Sequence, residues 1–259
     1  MPGKMNDERP SVLVTGGAKR LGAAISEAFG EAGWHVVIHY NSSREEAEAL
    51  ARRLPSAETV QADLCDLDAV TGMLEELAAR LSDWRALVNC ASVFKPDDVT
   101  ALDAATNRHA MEVNARAPAL LAQHYLAKAR AAAGRHVIQV TDQKLANPNP
   151  DFFSYTMSKH ALNATIAMLS MGSARGQDRV YGLAPGAILP SHDQSEEEAE
   201  ISHRMNLLGR HTSASEVADA AVFLASGKLA SGQTLYVDSG QHLLRQERDV
   251  IYLAREAAS

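Results

Sequence analysis

Ser11-Val12-Leu13-Val14-Thr15-Gly16-Gly17-Ala18-Lys19-Arg20-Leu21-Gly22 is the stretch on which the reading of this chain turns. Ser11 to Thr15 is a short apolar run rich in β-branched residues and reads as a buried strand. It passes directly into a glycine-rich turn. From Gly22 to Ala32 the spacing predicts an Ala-rich amphipathic helix stopped by Gly33, and Trp34 to Tyr40 reads as the next strand. Asn41, Ser42 and Ser43 then offer N-cap residues for a helix reaching about Leu54. A β-turn-α-β unit of this kind is the format of a dinucleotide site. Gly16, Gly17 and Gly22 let a backbone approach a pyrophosphate closely, and the helix start then faces the anion with free N–H groups. Lys19 and Arg20 within the turn point to negative charge nearby.

The end of the second strand bears on which dinucleotide is bound. An acidic residue there usually holds the ribose hydroxyls of NAD. This chain has His39-Tyr40-Asn41-Ser42-Ser43-Arg44 and no acid until Glu45. Hydroxyls at a helix start, with Lys19 and Arg20 across the crevice, suit a 2′-phosphate, so NADPH is expected over NADH.

Further along, Thr59 to Ala62, Ala86 to Asn89, Arg135 to Thr141, Arg179 to Leu183 and Thr234 to Asp238 read as strands. Helices are expected at Asp66 to Leu81, His109 to Ala133, around Tyr155 to about Ala174, and Ser215 to Ser226, with a polar segment over Ser191 to Met205. Strands alternating with helices imply an α/β fold: one Rossmann-like, doubly wound parallel sheet of about seven strands, covered by helices on both faces. The expected organisation is a flexible start over residues 1–10, one domain over 11–240, and a tail over 241–259. Val250-Ile251-Tyr252-Leu253 in that tail would pack either on a neighbouring subunit or on the chain's own surface. The 259 residues, 46% hydrophobic, suffice for one large core. A net charge of −7 with both signs mixed argues against a general nucleic-acid or anionic-membrane binder. Cys65 and Cys90 make neither a disulfide framework nor a metal-ligand pair, and the ten histidines are scattered, so no metal is expected. No apolar run approaches the roughly 20 residues that span a bilayer, and a soluble cytoplasmic protein is the expected class.

The chemistry is expected between Val140 and Lys159. Tyr155 and Lys159 are four apart and share a face on a helix. A phenol has a pKa of about 10; a nearby ammonium lowers it toward neutrality, whereas a carboxylate opposes ionisation and can hold or relay a proton. Asp142, at the end of the preceding strand, is placed to be that carboxylate.

With these motifs in order, the chain resembles the short-chain dehydrogenase/reductases over roughly Val12 to Gly240. Thr15-Gly16 and Leu21-Gly22 look like the cofactor turn, and Asp63-Leu64 like the pair that contacts the adenine. Asn89-Cys90-Ala91-Ser92 resembles the family's Asn-Asn-Ala-Gly stretch, with Cys90 in place of its second asparagine. Asn114 is like the asparagine that holds a proton-relay water. Tyr155 and Lys159 match the catalytic pair, and Pro185-Gly186 the turn beside the nicotinamide. Tyr181 departs from a frequent asparagine. Within the family the likeness is greatest to the pteridine reductases and the related dihydromonapterin or alternative dihydrofolate reductases. Arg20 stands where the wider family has glycine, and Asp142 where it has its catalytic serine. Phe94 matches an aromatic that stacks on the pterin.

The resemblance implies an NADPH-dependent reductase of dihydropterins, with dihydrofolate or dihydromonapterin as substrates. Asp142, Tyr155, Lys159 and Asn114 would be catalytic, and Arg20, Ser92, Phe94, Asp142 and Tyr155 would meet the substrate. It also implies a homotetramer and a mobile substrate lid over about 189–208. Within that lid, Glu196, Glu197, Glu198 and Glu200 read most simply as a solvated helix face. A carbonyl reductase of 3-oxoacyl thioesters, or a non-catalytic dinucleotide sensor, remain the alternatives.

Overall fold

Every residue of Ser11–Thr15 is buried, which places this strand, β1, near the middle of a sheet with cover on both faces. The computed structural model describes residues 9–173, 175–191 and 193–258; most of the start expected to be flexible, residues 1–8, lies outside the described residues. The other strands are β2 (His35–Tyr40), β3 (Ala57–Gln61), β4 (Trp84–Asn89), β5 (His136–Val140), β6 (Arg179–Pro185) and β7 (Thr234–Val237). They form one seven-stranded sheet in the order β3-β2-β1-β4-β5-β6-β7, and every neighbouring pair is parallel.

Alternation along β1 divides the core in two. Val12 and Val14 point into a cluster with Ile25 and Phe29 of α1 (Arg20–Glu31), Leu50 of α2 (Arg44–Arg53) and Val217 of α8 (Ala214–Ala225). Leu13 points to the other face, with Leu74 and Leu77 of α3 (Leu67–Arg80) and Leu121 and Tyr125 of α5 (Ala117–Lys128). Successive side chains on a strand face opposite ways, so five consecutive buried residues require a helix layer on each side. α4 (Ala104–Met111), α6 (Phe153–Gly172), α7 (Glu196–Arg204) and α9 (Val250–Ala258) complete the helices named here.

The single long helix expected from His109 to Ala133 is corrected. It begins five residues earlier, where the Asp103 carboxylate accepts the Thr106 N–H at 2.6 Å, and a π-helical turn interrupts it at Glu112–Arg116. It ends at Lys128, because the Arg130 carbonyl turns away to accept the Trp84 N–H at 2.8 Å, joining the chain to β4. α6 ends at Gly172, and Ala174, the expected end, lies outside the described residues. The polar segment 191–205 contains α7, fixed by a capping box between Ser195 and Glu198.

The tail 250–258 is helical and lies on the chain's own surface, against α7 and beside Phe152. Tyr181 is fully buried and donates to the Leu229 carbonyl at 2.7 Å, so the residue that departs from the family pattern fills the core and is satisfied. Among the described residues no helix is long and apolar enough to cross a membrane.

Candidate active site

The strand order reverses between β1 and β4, and a ligand crevice is expected where parallel strands end at such a point. A cleft of about 530 Å³ opens there, within the range of small-molecule sites. Gly16, Lys19, Arg20, Leu21, Gly22, His39, Asn41, Asp63, Leu64, Ala91 and Ser92 line one part of it; Phe94, Asp142, Tyr155, Lys159, Pro185 and Gly186 line the rest. Tyr40 is turned into the core, Asn89 is buried against Pro118 and Gln139, and Ser42 and Ser43 are outside the lining.

The glycine turn is shaped for close approach. Gly16 has φ +64°, and a Cβ on Gly22 would sit 2.0 Å from the Gly16 carbonyl oxygen. No side chain caps α1, so its first N–H groups remain for an anion in the cleft. Arg20, where the wider family has glycine, adopts a left-handed backbone with φ +52°. Such a conformation costs an L-residue about 1–2 kcal/mol. Its guanidinium crosses to the Pro190 carbonyl at 2.7 Å, tying the turn to the segment expected to form the lid. Lys19 is ion-paired with Glu46 of α2 at 2.6 Å, at an exposed site. These residues fit a dinucleotide: an uncapped helix start, a backbone that only glycine permits, and two cations beside it.

His39 holds the turn from below. Its Nδ1 accepts the Gly16 N–H at 3.1 Å, so Nε2 carries the proton and donates to the Ala62 carbonyl at 3.1 Å. Burial pushes its pKa down to about 4, and the ring is neutral. His39 lines the cleft, and its hydrogen bonds run to the scaffold.

Asn114 lies inside the π-helical turn, a feature that recurs at functional sites. Its amide donates to the Val93 carbonyl at 2.9 Å and to Ser158 Oγ at 3.0 Å. Its oxygen accepts from Val93 N at 2.8 Å and Ser92 Oγ at 3.2 Å. Asn114 is thus the junction between the loop carrying Phe94 and the helix carrying Tyr155. Lys159 donates to the Val140 carbonyl at 2.8 Å and lies 5.6 Å from the centre of the Tyr155 ring.

Asp142 uses both carboxylate oxygens. Oδ1 accepts the Lys144 N–H at 2.8 Å and starts a short 3-10 turn, Gln143–Leu145, while Oδ2 accepts the Tyr155 hydroxyl at 2.6 Å. Burial raises the Asp142 pKa. Burial, followed by the Asp142 charge, carries the Tyr155 phenol well above its ordinary value. The carboxylate thus opposes ionisation of the phenol, the direction expected of Asp142, and burial lowers the pKa of Lys159.

Phe94 lies with one face stacked on Phe152 at 4.0 Å and meets the Tyr155 ring edge-on at 4.7 Å. Phe152 is absent from the residues singled out in the sequence, as are Lys144 and Asp249, which line the cleft together with Val250 and Ile251 of the tail. The apolar run at 250–253 was the only signal of Val250 and Ile251, and it did not reveal that they reach the cleft. Glu198, expected on a solvated face, is partly covered, and its carboxylate lies 3.6 Å from Arg255 of α9. Among the described residues no group of three or more His, Cys, Asp or Glu is arranged to hold a metal ion.

Comparison with known proteins bears on this geometry. A family profile described as enoyl-(acyl carrier protein) reductase matches residues 16–242. Pteridine reductase 1 of Leishmania tarentolae is 32% identical over 281 aligned positions, covering 91% of this chain and 97% of that protein. A 3-oxoacyl-[acyl-carrier-protein] reductase FabG of Staphylococcus aureus is 24% identical, covering 90% and 98%. The crystal structure of FolM alternative dihydrofolate reductase 1 from Brucella canis complexed with NADP superposes with a TM-score of 0.85 at 36% identity, covering 93% of this chain and 96% of that one.

Proposed function

The chain belongs to the short-chain dehydrogenase/reductase family and is an NADP-dependent oxidoreductase, and on that premise we propose that it reduces dihydropterins: dihydrofolate, dihydromonapterin or dihydrobiopterin to the tetrahydro form. The observation that carries this reading is the 2.6 Å hydrogen bond from the Tyr155 hydroxyl to Asp142. Reduction of a C=N bond at C6 and N5 requires a proton on nitrogen as carbon gains hydride. A carboxyl whose pKa is raised, in contact with a protonated phenol, is a proton source for that nitrogen. A serine at position 142 would offer a hydrogen bond to a carbonyl oxygen but no second dissociable proton.

NADPH, when bound, supplies the hydride. Gly16, Lys19, Arg20, Leu21 and Gly22 would hold its phosphates, Asp63 and Leu64 its adenine, and Lys159 with Pro185 and Gly186 its nicotinamide end. Tyr155 passes its proton to substrate nitrogen and Asp142 refills Tyr155. Phe94, backed by Phe152, would stack on the flat pterin. Asn114 fixes the loop and helix on which Phe94 and Tyr155 sit. The expected homotetramer belongs to the same proposal. Met168 and Met171 of α6, 58% and 81% exposed, supply apolar surface for it, and sedimentation of the purified protein at four times the chain mass is its test.

The deciding experiment follows NADPH absorbance with dihydrofolate, dihydromonapterin, dihydrobiopterin, folic acid and one 3-oxoacyl ester, with NADH as the control. Oxidation with a dihydropterin supports the proposal and ranks the side chains. Turnover of the oxoacyl ester alone overturns it in favour of the carbonyl reductase that the FabG relative suggests. Tight NADPH binding without any turnover points instead to a sensor.

A further inference from the structure

Lys144 is two residues beyond Asp142 and its side chain is only 4% exposed. Its ammonium contacts Asp249 Oδ2 at 2.7 Å and donates to the Asp151 carbonyl at 3.1 Å, and it lies 5.2 Å from the Phe152 ring centre. Asp249, 10% exposed, immediately precedes α9; its Oδ1 accepts the Ile251 N–H at 3.0 Å, and its own N–H donates to Asp151 Oδ2 at 2.8 Å. Arg248 donates to both Asp151 oxygens, at 2.8 and 3.0 Å. Beyond this knot, Ile251 packs on Phe152 and Tyr155, and Tyr252 stacks on Phe152 at 5.9 Å. One turn further along α9, Arg255 reaches the expected lid at Asp193, 2.8 Å away. Two buried opposite charges persist only where each compensates the other, so this pair fixes where the tail must sit.

We propose that residues 248–258 form, within the same chain, the substrate-side wall of the active site, and that Lys144 and Asp249 are the positioning pair that latches this wall to the loop carrying Asp142. The wall touches Phe152, against which Phe94 is stacked, so its docking fixes the plane offered to a substrate. Val250 and Ile251, which line the cleft, thereby help set which substrates fit. The residues assigned to the cofactor turn do not take part in the latch. Disturbing the latch therefore affects substrate and leaves the cofactor alone. The class of substrate rests on the dihydropterin reading; the latch does not.

The test compares Lys144→Met, Asp249→Asn and the double variant with the wild type, using whichever substrate of the panel the wild type reduces. Each single variant removes one partner of the buried pair and is expected to raise KM at least tenfold, with the NADPH Kd within twofold. The double variant removes both charges while the amide oxygen introduced at position 249 still accepts the Ile251 N–H, and its KM is expected within threefold of wild type. Hydrogen exchange over 248–258, which needs no substrate, is expected to quicken at least tenfold in each single variant and to recover in the double. Unchanged KM and unchanged exchange in the single variants would overturn the latch. So would a double variant no better than the worse single. If the wild type reduces only the oxoacyl ester, the dihydropterin reading fails while the latch is still measured on that ester. A chain ending at Glu247 that keeps the wild-type KM would overturn the wall.

Discussion

The hydroxyl of Tyr155 is 2.6 Å from Oδ2 of Asp142, a residue that lies in the connection between β5 and α6. Both groups have pKa values moved upward, chiefly by burial. Replacing Asp142 with Asn keeps the shape and removes the second proton. The expected result is a loss of kcat of about 10²–10³-fold, with NADPH affinity unchanged. A pH series gives the sharper readout. Activity that depends on protonated Asp142 falls as pH rises through its raised pKa, and that alkaline limb should vanish in Asp142→Asn. A variant with full activity on a dihydropterin would end the proton-delivery role.

Arg20 combines a left-handed backbone with a reach to Pro190. In Arg20→Gly the conformational cost of about 1–2 kcal/mol is relieved, while the greater freedom of an unfolded glycine takes back about 0.5–1 kcal/mol. Tm should therefore hold or rise slightly. A charge-assisted contact to the phosphates contributes about 1.5–3 kcal/mol, so NADPH Kd should weaken roughly tenfold or more. Calorimetry and a cofactor titration on the same preparation separate the two effects.

Asn114 makes four hydrogen bonds from inside the π-helical turn. Asn114→Ala strands several buried partners and is expected to destabilise the fold by about 2–4 kcal/mol. Asn114→Asp turns a carboxylate oxygen on the Val93 carbonyl in a buried site, and should be at least as destabilised as the alanine variant in denaturant unfolding.

His39 has an acid-stability signature. The unfolded chain takes up a proton near the ordinary pKa of about 6.5, whereas the folded ring resists until about pH 4. The unfolded state therefore binds more protons between these values, and stability falls as pH drops from about 6.5 to 4. The loss reaches at most roughly 3 kcal/mol. In His39→Gln this part of the pH dependence of Tm should disappear, and a profile identical to wild type would show that His39 titrates normally.

What the sequence determined by itself was local or periodic. Ser11–Thr15, the glycine turn and the alternation of strands with helices predict the parallel sheet, because each signal lies within a few residues and reflects backbone geometry. The spacing of Tyr155 and Lys159 predicts their shared helix for the same reason. The long helix after residue 100 was legible only in outline: nothing in Glu-Val-Asn-Ala announces a π-turn, which Asn114 secures through partners 21 and 44 residues away.

Only the tertiary structure decided the electrostatics and the far wall of the site. The Tyr155 pKa rises chiefly through burial, which no motif records, and the Asp142 carboxylate adds to it. Phe152, Lys144 and Asp249 entered the site through contacts made by folding. Lys144 and Asp249 are more than a hundred residues apart, and an ion pair across that distance leaves no periodic trace in a single chain. It forms because the sheet brings the loop after β5 under the tail, where each buried charge finds its compensation.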